Sequence, residues 1–96
     1  MHSHNICHRD LKPDNVLVED LNALDQPQIK VADFGFATFF GKNEDQRMSA
    51  RLGTYTYMAP ELTLGKKYDE KVDVWAAGVI TFFLLTQGSF PFIAGE

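Results

Sequence analysis

The sequence predicts an α+β domain in which a few very short strands and irregular loops precede one long helix. Two observations carry that prediction. Three apolar, β-branch-rich runs bounded by turn residues fall in the first third of the chain: Ile6-Cys7-His8, Val16-Leu17-Val18 and Ile29-Lys30-Val31-Ala32. Much later, Val72 to Leu85 is a nearly continuous apolar stretch, too long for an ordinary strand.

Taken in order, Ile6-Cys7-His8 is a minimal strand feeding a polar loop. Val16–Val18 and Ile29–Ala32 pair as a hairpin whose open end brings Asn15 next to Asp33. Between them Glu19 to Gln28 is polar and closed by Pro27, a surface connection. Gly41 to Arg51 has many charges and no periodicity, which predicts a mobile loop. Ala59 to Leu64 makes one or two helical turns, with Pro60 tolerated at the first. The long helix over Val72–Leu85 has Asp73 in its first turn, where a carboxylate suits the positive end of the helix dipole; Gly88 and Pro91 end it. Its apolar core from Val74 is roughly half of the ~20 residues that a bilayer span needs, and Gly78 and Thr81 interrupt it. A buried core helix is expected, not a membrane segment. No internal repeat or low-complexity tract is present.

Ninety-six residues suit one small domain, and a hydrophobic content of 45% is ordinary for a globular chain. A chain this short buries only part of its apolar surface. The net charge of -4 argues against a nucleic-acid partner, because phosphate backbones call for a basic face. Cys7 is the single cysteine, so no internal disulfide forms and a reducing, cytoplasmic setting is the default. Between Ile6 and His8 it reads as a small buried thiol, not a reactive one. The N-terminus lacks the charged-then-apolar pattern of a secretory signal.

Three strings carry the chemistry: His8-Arg9-Asp10-Leu11-Lys12-Pro13-Asp14-Asn15, then Asp33-Phe34-Gly35, then Ala59-Pro60-Glu61. Either tripeptide alone is an everyday turn sequence. In this order the set resembles the signature of eukaryotic-type serine/threonine protein kinases, over about His4 to Phe92. The resemblance implies a protein-kinase-like fold, with residues 1–96 forming part of the large C-terminal lobe. Residues 8–15 would be the catalytic loop, 33–61 the activation segment and about 72–86 the core helix. The small N-terminal lobe, with its Gly-rich loop and nucleotide-binding lysine, and the C-terminal helices would lie outside the chain. The Glu19–Gln28 connection is a few residues longer than is usual in such enzymes.

The resemblance also implies roles. Phosphoryl transfer asks a protein mainly to align two oxygens and neutralise charge on the transferring group. Asp10 would orient the substrate hydroxyl and accept its proton, and Lys12 would offset charge at the γ-phosphate of ATP. Asn15 and Asp33 would ligate Mg²⁺, hard oxygen donors for a hard cation. Thr54 would bond Asp10 and Lys12, closing the site on a serine or threonine hydroxyl of a protein substrate. Tyr57-Met58 would line the pocket for the next substrate residue. Asp73 would bond backbone amides of the catalytic loop, while His8 and Phe34 would stack as part of an apolar spine. Asp14 either favours basic substrates or is a solvated loop charge. Core packing is the expectation for Trp75, Phe82, Phe83 and Leu84.

Lys12 and Gly53-Thr54 point to serine/threonine rather than tyrosine specificity. The runs Arg51–Thr54 and Lys67–Trp75 look most like the calcium/calmodulin-dependent group, calcium-dependent protein kinases especially. Any calcium- or calmodulin-linked regulation would then lie outside this chain. Two features depart from the family pattern. The usual activation-segment phosphoacceptor position is Ala50, and the usual second basic partner for its phosphate is Thr38. With both halves of that switch missing, phosphorylation at that position is not expected to be needed, although the adjacent Ser49 leaves a shifted register open. Glu61, which pairs in the family with a downstream arginine, must find another partner here or stay hydrated. The leading function is therefore an ATP-dependent serine/threonine protein kinase, with the isolated chain inactive for want of the nucleotide-covering lobe. The alternative is a truncated, non-catalytic kinase-like binding module. A small-molecule kinase of related fold is disfavoured, because Lys12-Pro13 and the long segment closing in Ala59-Pro60-Glu61 build a peptide-docking surface.

Overall fold

A computed structural model describes residues 1–19, 28–41, 43 and 47–92. Among the described residues four short strands make two antiparallel pairs. In the first, β1 (Ile6–Cys7) pairs with β4 (Thr38–Phe39), Ile6 facing Phe39 and Cys7 facing Thr38. The second is the expected hairpin, β2 (Val16–Val18) with β3 (Ile29–Val31), in the register Val16 to Val31. Glu19 donates its amide to the Gln28 carbonyl at 2.8 Å, extending the ladder by one rung. The connection predicted as a surface loop lies, over 20–27, outside the described residues. Strand β4 has no sequence signal, since a two-residue strand shows no period.

A short helix α1 (Pro60–Thr63) opens on its proline, which needs no intrahelical donor there. The long helix α2 spans Lys71–Leu85. Its start is set by Asp69, whose carboxylate accepts the Lys71 amide at 3.0 Å. It stops at Gln87 and Gly88, both left-handed (φ 59° and 115°), with the Gly88 amide returning to the Phe83 carbonyl at 2.9 Å.

The core gathers Cys7 from β1, Met48, Ala59, Leu62 of α1, Tyr68 and Val72 of α2, with Phe40, Met58 and Trp75 packed against it. Two expectations change here. Within the segment predicted to be mobile, residues 42 and 44–46 lie outside the described residues. Met48, however, is buried and exchanges both backbone hydrogen bonds with Tyr68, at 3.0 and 2.9 Å. Methionine supplies an apolar anchor that a charge-dominated window conceals. The buried core helix, in turn, is buried along one face only. Val72, Asp73, Ala76 and Val79 are covered, whereas Val74, Leu84 and Leu85 are 62%, 64% and 80% exposed. The helix is apolar around most of its circumference, so it has more surface to bury than these residues cover. Trp75 packs at the core margin, and Phe82 and Leu84 are exposed. Among the described residues no helix is long and apolar enough to cross a membrane.

Candidate active site

Residues 8–15 have almost no regular structure of their own, so their shape must come from outside. Asp73, in the first turn of α2 and 3% exposed, supplies it. Its two carboxylate oxygens accept the backbone amides of His8 (Oδ2, 2.8 Å) and Arg9 (Oδ1, 2.9 Å). His2 Nε2 adds a third contact to Oδ2 at 2.8 Å. A carboxylate accepting several charge-assisted bonds is a strong clamp. It holds Arg9 at a φ of 70°, a left-handed conformation that costs a non-glycine residue energy.

His8 is fully buried and joins two parts of the site. Its Nδ1 is 3.1 Å from the Asp10 amide, which can only donate; its Nε2 is 2.8 Å from the Ala32 carbonyl, which can only accept. The bonding partners therefore fix the tautomer with the proton on Nε2. The ring of Phe34 meets His8 edge-on, with centroids 5.0 Å apart.

Next to this frame lie the sequence-selected side chains. The Thr54 hydroxyl donates to Asp10 Oδ1 at 2.8 Å and accepts from Lys12 Nζ at 3.2 Å. Lys12 Nζ also lies 3.9 Å from Asp10 Oδ2. Asp10, Lys12 and Thr54, which are 42 to 44 residues apart between loop and segment, thus form one bonded cluster. The side-chain carboxamide of the buried Asn15 donates its N–H to the Asp10 backbone carbonyl at 2.8 Å, and the Asn15 backbone carbonyl accepts the Ala32 amide at 2.8 Å. Asp33 follows directly on Ala32. It is exposed, adopts a φ of 56° and accepts the Gly35 amide at 3.2 Å. Among the described residues no hydrogen bond or ion pair joins Asp33 to Asp10, Lys12 or Asn15. The hairpin places Asn15 and Asp33 at one open end, as hard-oxygen donors on neighbouring strand ends. A cleft beside the cluster is lined by Leu11, Tyr57, Met58 and Ala59 as well as Asp10 and Thr54. Burial, and then the Asp14 carboxylate, push the Tyr57 phenol above its ordinary value.

Glu61 makes no ion pair among the described residues. Cys7 is a buried free thiol, pushed far above its ordinary range by burial first and by Asp73 next, which keeps it protonated and unreactive. Two contributors escaped the sequence reading. His2 braces Asp73, and nothing in its spacing marks it. Tyr68 touches both Arg9 and Ala50, although it was visible only as one letter of the Lys67–Trp75 run.

With this geometry in place, similarity to known proteins becomes specific. The model of the protein kinase domain family matches residues 1–96. Calcium-dependent protein kinase 4 of Plasmodium berghei (strain Anka) is 46% identical over 92 residues, covering 96% of this chain and 16% of that protein. The protein of the same name from Plasmodium falciparum (isolate 3D7) matches to the same extent. Serine/threonine-protein kinase dkf-1 of Caenorhabditis elegans is 42% identical over 96 residues, all of this chain and 13% of that protein. The chain thus spans less than a fifth of the length of these relatives. The family match covers the whole sequence, and the motifs, the carboxylate-clamped loop and the Asp10–Thr54–Lys12 cluster agree with it: the chain belongs to the protein kinase domain family.

Proposed function

We propose that this chain is the catalytic-loop and activation-segment portion of a serine/threonine protein kinase, which transfers the γ-phosphate of ATP to a serine or threonine hydroxyl of a protein. The observation that carries the reading is the Asp10–Thr54–Lys12 cluster. Thr54 engages Asp10 Oδ1 and leaves Oδ2 to face a substrate hydroxyl. As the hydroxyl oxygen bonds the γ-phosphorus and ADP departs, Asp10 takes the proton. Lys12, held by Thr54, would offset negative charge on the phosphoryl group. Thr54 also sits beside the Tyr57-Met58 cleft, so the side chain next to the acceptor would report on the same segment.

The donor set fits Mg²⁺. Asp33 is an exposed carboxylate, and the Asn15 amide nitrogen is committed to Asp10, which leaves the carboxamide oxygen as the ligand atom. A bound cation would screen the phosphate charges. The nucleotide-covering parts would come from outside these residues, and the 96-residue piece alone is expected to be inactive. Two of the relatives are named calcium-dependent kinases, and calcium-linked control outside this segment, in a cytoplasmic enzyme, is the corresponding proposal.

The test is phosphate transfer from labelled ATP to serine/threonine peptides by the full-length protein, with calcium and with chelator. Transfer that Asp10→Asn abolishes supports the reading. Transfer indifferent to Asp10→Asn, or none from the wild-type protein, overturns it in favour of a non-catalytic binding module.

A further inference from the structure

Arg9 is the cation that a phosphorylated activation segment would be expected to grip, yet Ala50 offers no phosphate and Thr38 no second cation. The structure shows what Arg9 binds instead. Its Nε donates to the Phe36 carbonyl at 2.7 Å, and its Nη1 donates to the Tyr68 hydroxyl at 3.2 Å. That hydroxyl in turn donates to the Ala50 carbonyl at 2.6 Å. Tyr68 thus uses its donor on one partner and a lone pair on the other. It is 3% exposed, and its backbone is bridged to Met48.

The consequence is a segment tied at both ends to adjacent residues. Ala50 reaches Arg9 through Tyr68, and Thr54 reaches Asp10 directly. Between them Gly53, at a φ of 116°, passes so close to the Arg9 carbonyl that a Cβ there would sit 2.8 Å from its oxygen. Arg51 adds a bond to the Thr63 carbonyl of α1 at 2.8 Å.

We propose that the Tyr68 hydroxyl is a fixed substitute for an activation-segment phosphate, a positioning residue that joins Ala50 to Arg9 and so holds Thr54 on Asp10 without covalent modification. Its effect on catalysis rests on the kinase reading above; its effect on order in residues 47–54 rests on the bonds alone. A neutral phenol flanked by a carbonyl and a guanidinium needs no added charge to complete it.

The experiment is hydrogen–deuterium exchange and steady-state kinetics on the full-length protein, comparing wild type, Tyr68→Phe, and Tyr68→Phe combined with Ala50→Glu. Loss of the hydroxyl's two hydrogen bonds, one of them to the charged Arg9, should speed exchange over residues 47–54 roughly tenfold or more while α2 is unchanged. kcat/KM for the peptide should fall roughly tenfold with the KM for ATP unmoved. The added carboxylate of Ala50→Glu should restore both by offering Arg9 an anion, a rescue that mere packing by the ring does not allow. Ser49→Ala should leave activity intact. Unchanged exchange in Tyr68→Phe, no rescue by Ala50→Glu, or loss of activity in Ser49→Ala overturns the proposal. If Tyr68→Phe also loosens α2, Arg9→Gln cuts the same link from its other end: faster exchange over 47–54 supports it and unchanged exchange overturns it. A wild-type protein without Asp10-dependent transfer removes the kinase reading, and the exchange arm still decides the role of Tyr68.

Discussion

The two sides of the site are built differently. On one side residues 8–15 are held by the buried Asp73 carboxylate, and Asp10, Lys12 and Thr54 are bonded to one another. On the other side the β2–β3 hairpin shows Leu17 and Ile29 to solvent at 53% and 58%, Asp33 hangs at its open end, and Phe34 just beyond it is 50% exposed. The far end of α2 resembles the second side more than the first. The contrast separates what these residues organise alone from what must be finished by a further surface. The Asp10–Thr54 side is pre-set by local bonds, whereas the Asp33 side and the distal α2 face carry apolar area that wants cover.

The sharpest break in that contrast is Asp10→Asn in the full-length protein. Thr54 and Asn15 would still find partners, so the fold should survive. If Asp10 is the proposed proton acceptor, its loss should lower kcat by on the order of 10² to 10⁴. Unchanged melting beside that loss would locate the effect in chemistry. Asp73→Ala attacks the frame instead: two inward amides and His2 lose their acceptor together. About 2–5 kcal/mol of stability should go, read as a lowered melting temperature and faster exchange across residues 8–15. Faster exchange confined to the hairpin would show that the frame is held from elsewhere.

These two variants also mark what the sequence made legible. Asp10, Lys12, Asn15 and Asp33 were legible because motif order fixes them, and the pairing of β2 with β3 followed from two short runs with the right boundaries. The Asp73 contact came from the family resemblance; its helix-dipole position alone says nothing of a partner 64 residues upstream. Strand β4 and the Met48–Tyr68 bridge were illegible, since elements of one or two residues have no periodicity. The uneven burial of α2 was legible only as excess hydrophobicity, because an all-round apolar helix does not say which face is covered.

Smaller in effect, Thr54→Val removes the hydroxyl between Asp10 and Lys12 while keeping the side-chain volume. The loss of its two bonds to charged groups predicts a roughly ten- to hundred-fold fall in kcat, with the KM for ATP unchanged. An equal rise in both KM values would mean that Thr54 merely shapes the cleft. The exposed side can be sharpened separately. The isolated 96-residue piece should bind an apolar dye and melt without a sharp transition, given Leu84, Leu85 and Phe92 at 64%, 80% and 64% exposure. A soluble monomer with a cooperative transition would show that the uncovered α2 face is tolerated.

The smallest effect concerns Cys7, which lies on the organised side. Burial, then Asp73, raise its pKa above the ordinary 9.0 in the folded state. A group whose folded pKa is raised contributes its full stability below the unfolded pKa and loses it as pH climbs beyond. Below pH 9 the thiol is neutral in both states and contributes no pH dependence. Above it, the unfolded chain ionises while the folded one resists, so stability should decline with rising pH, and Cys7→Ala should flatten that decline. Alkylation makes the same point kinetically. Folded protein at pH 8 should resist iodoacetamide and denatured protein should react at once, since the thiolate is the nucleophile. Rapid labelling of the native protein would mean that β1 opens readily, and the Asp73 frame, which begins one residue later at His8, would then be far less rigid than its bonds imply.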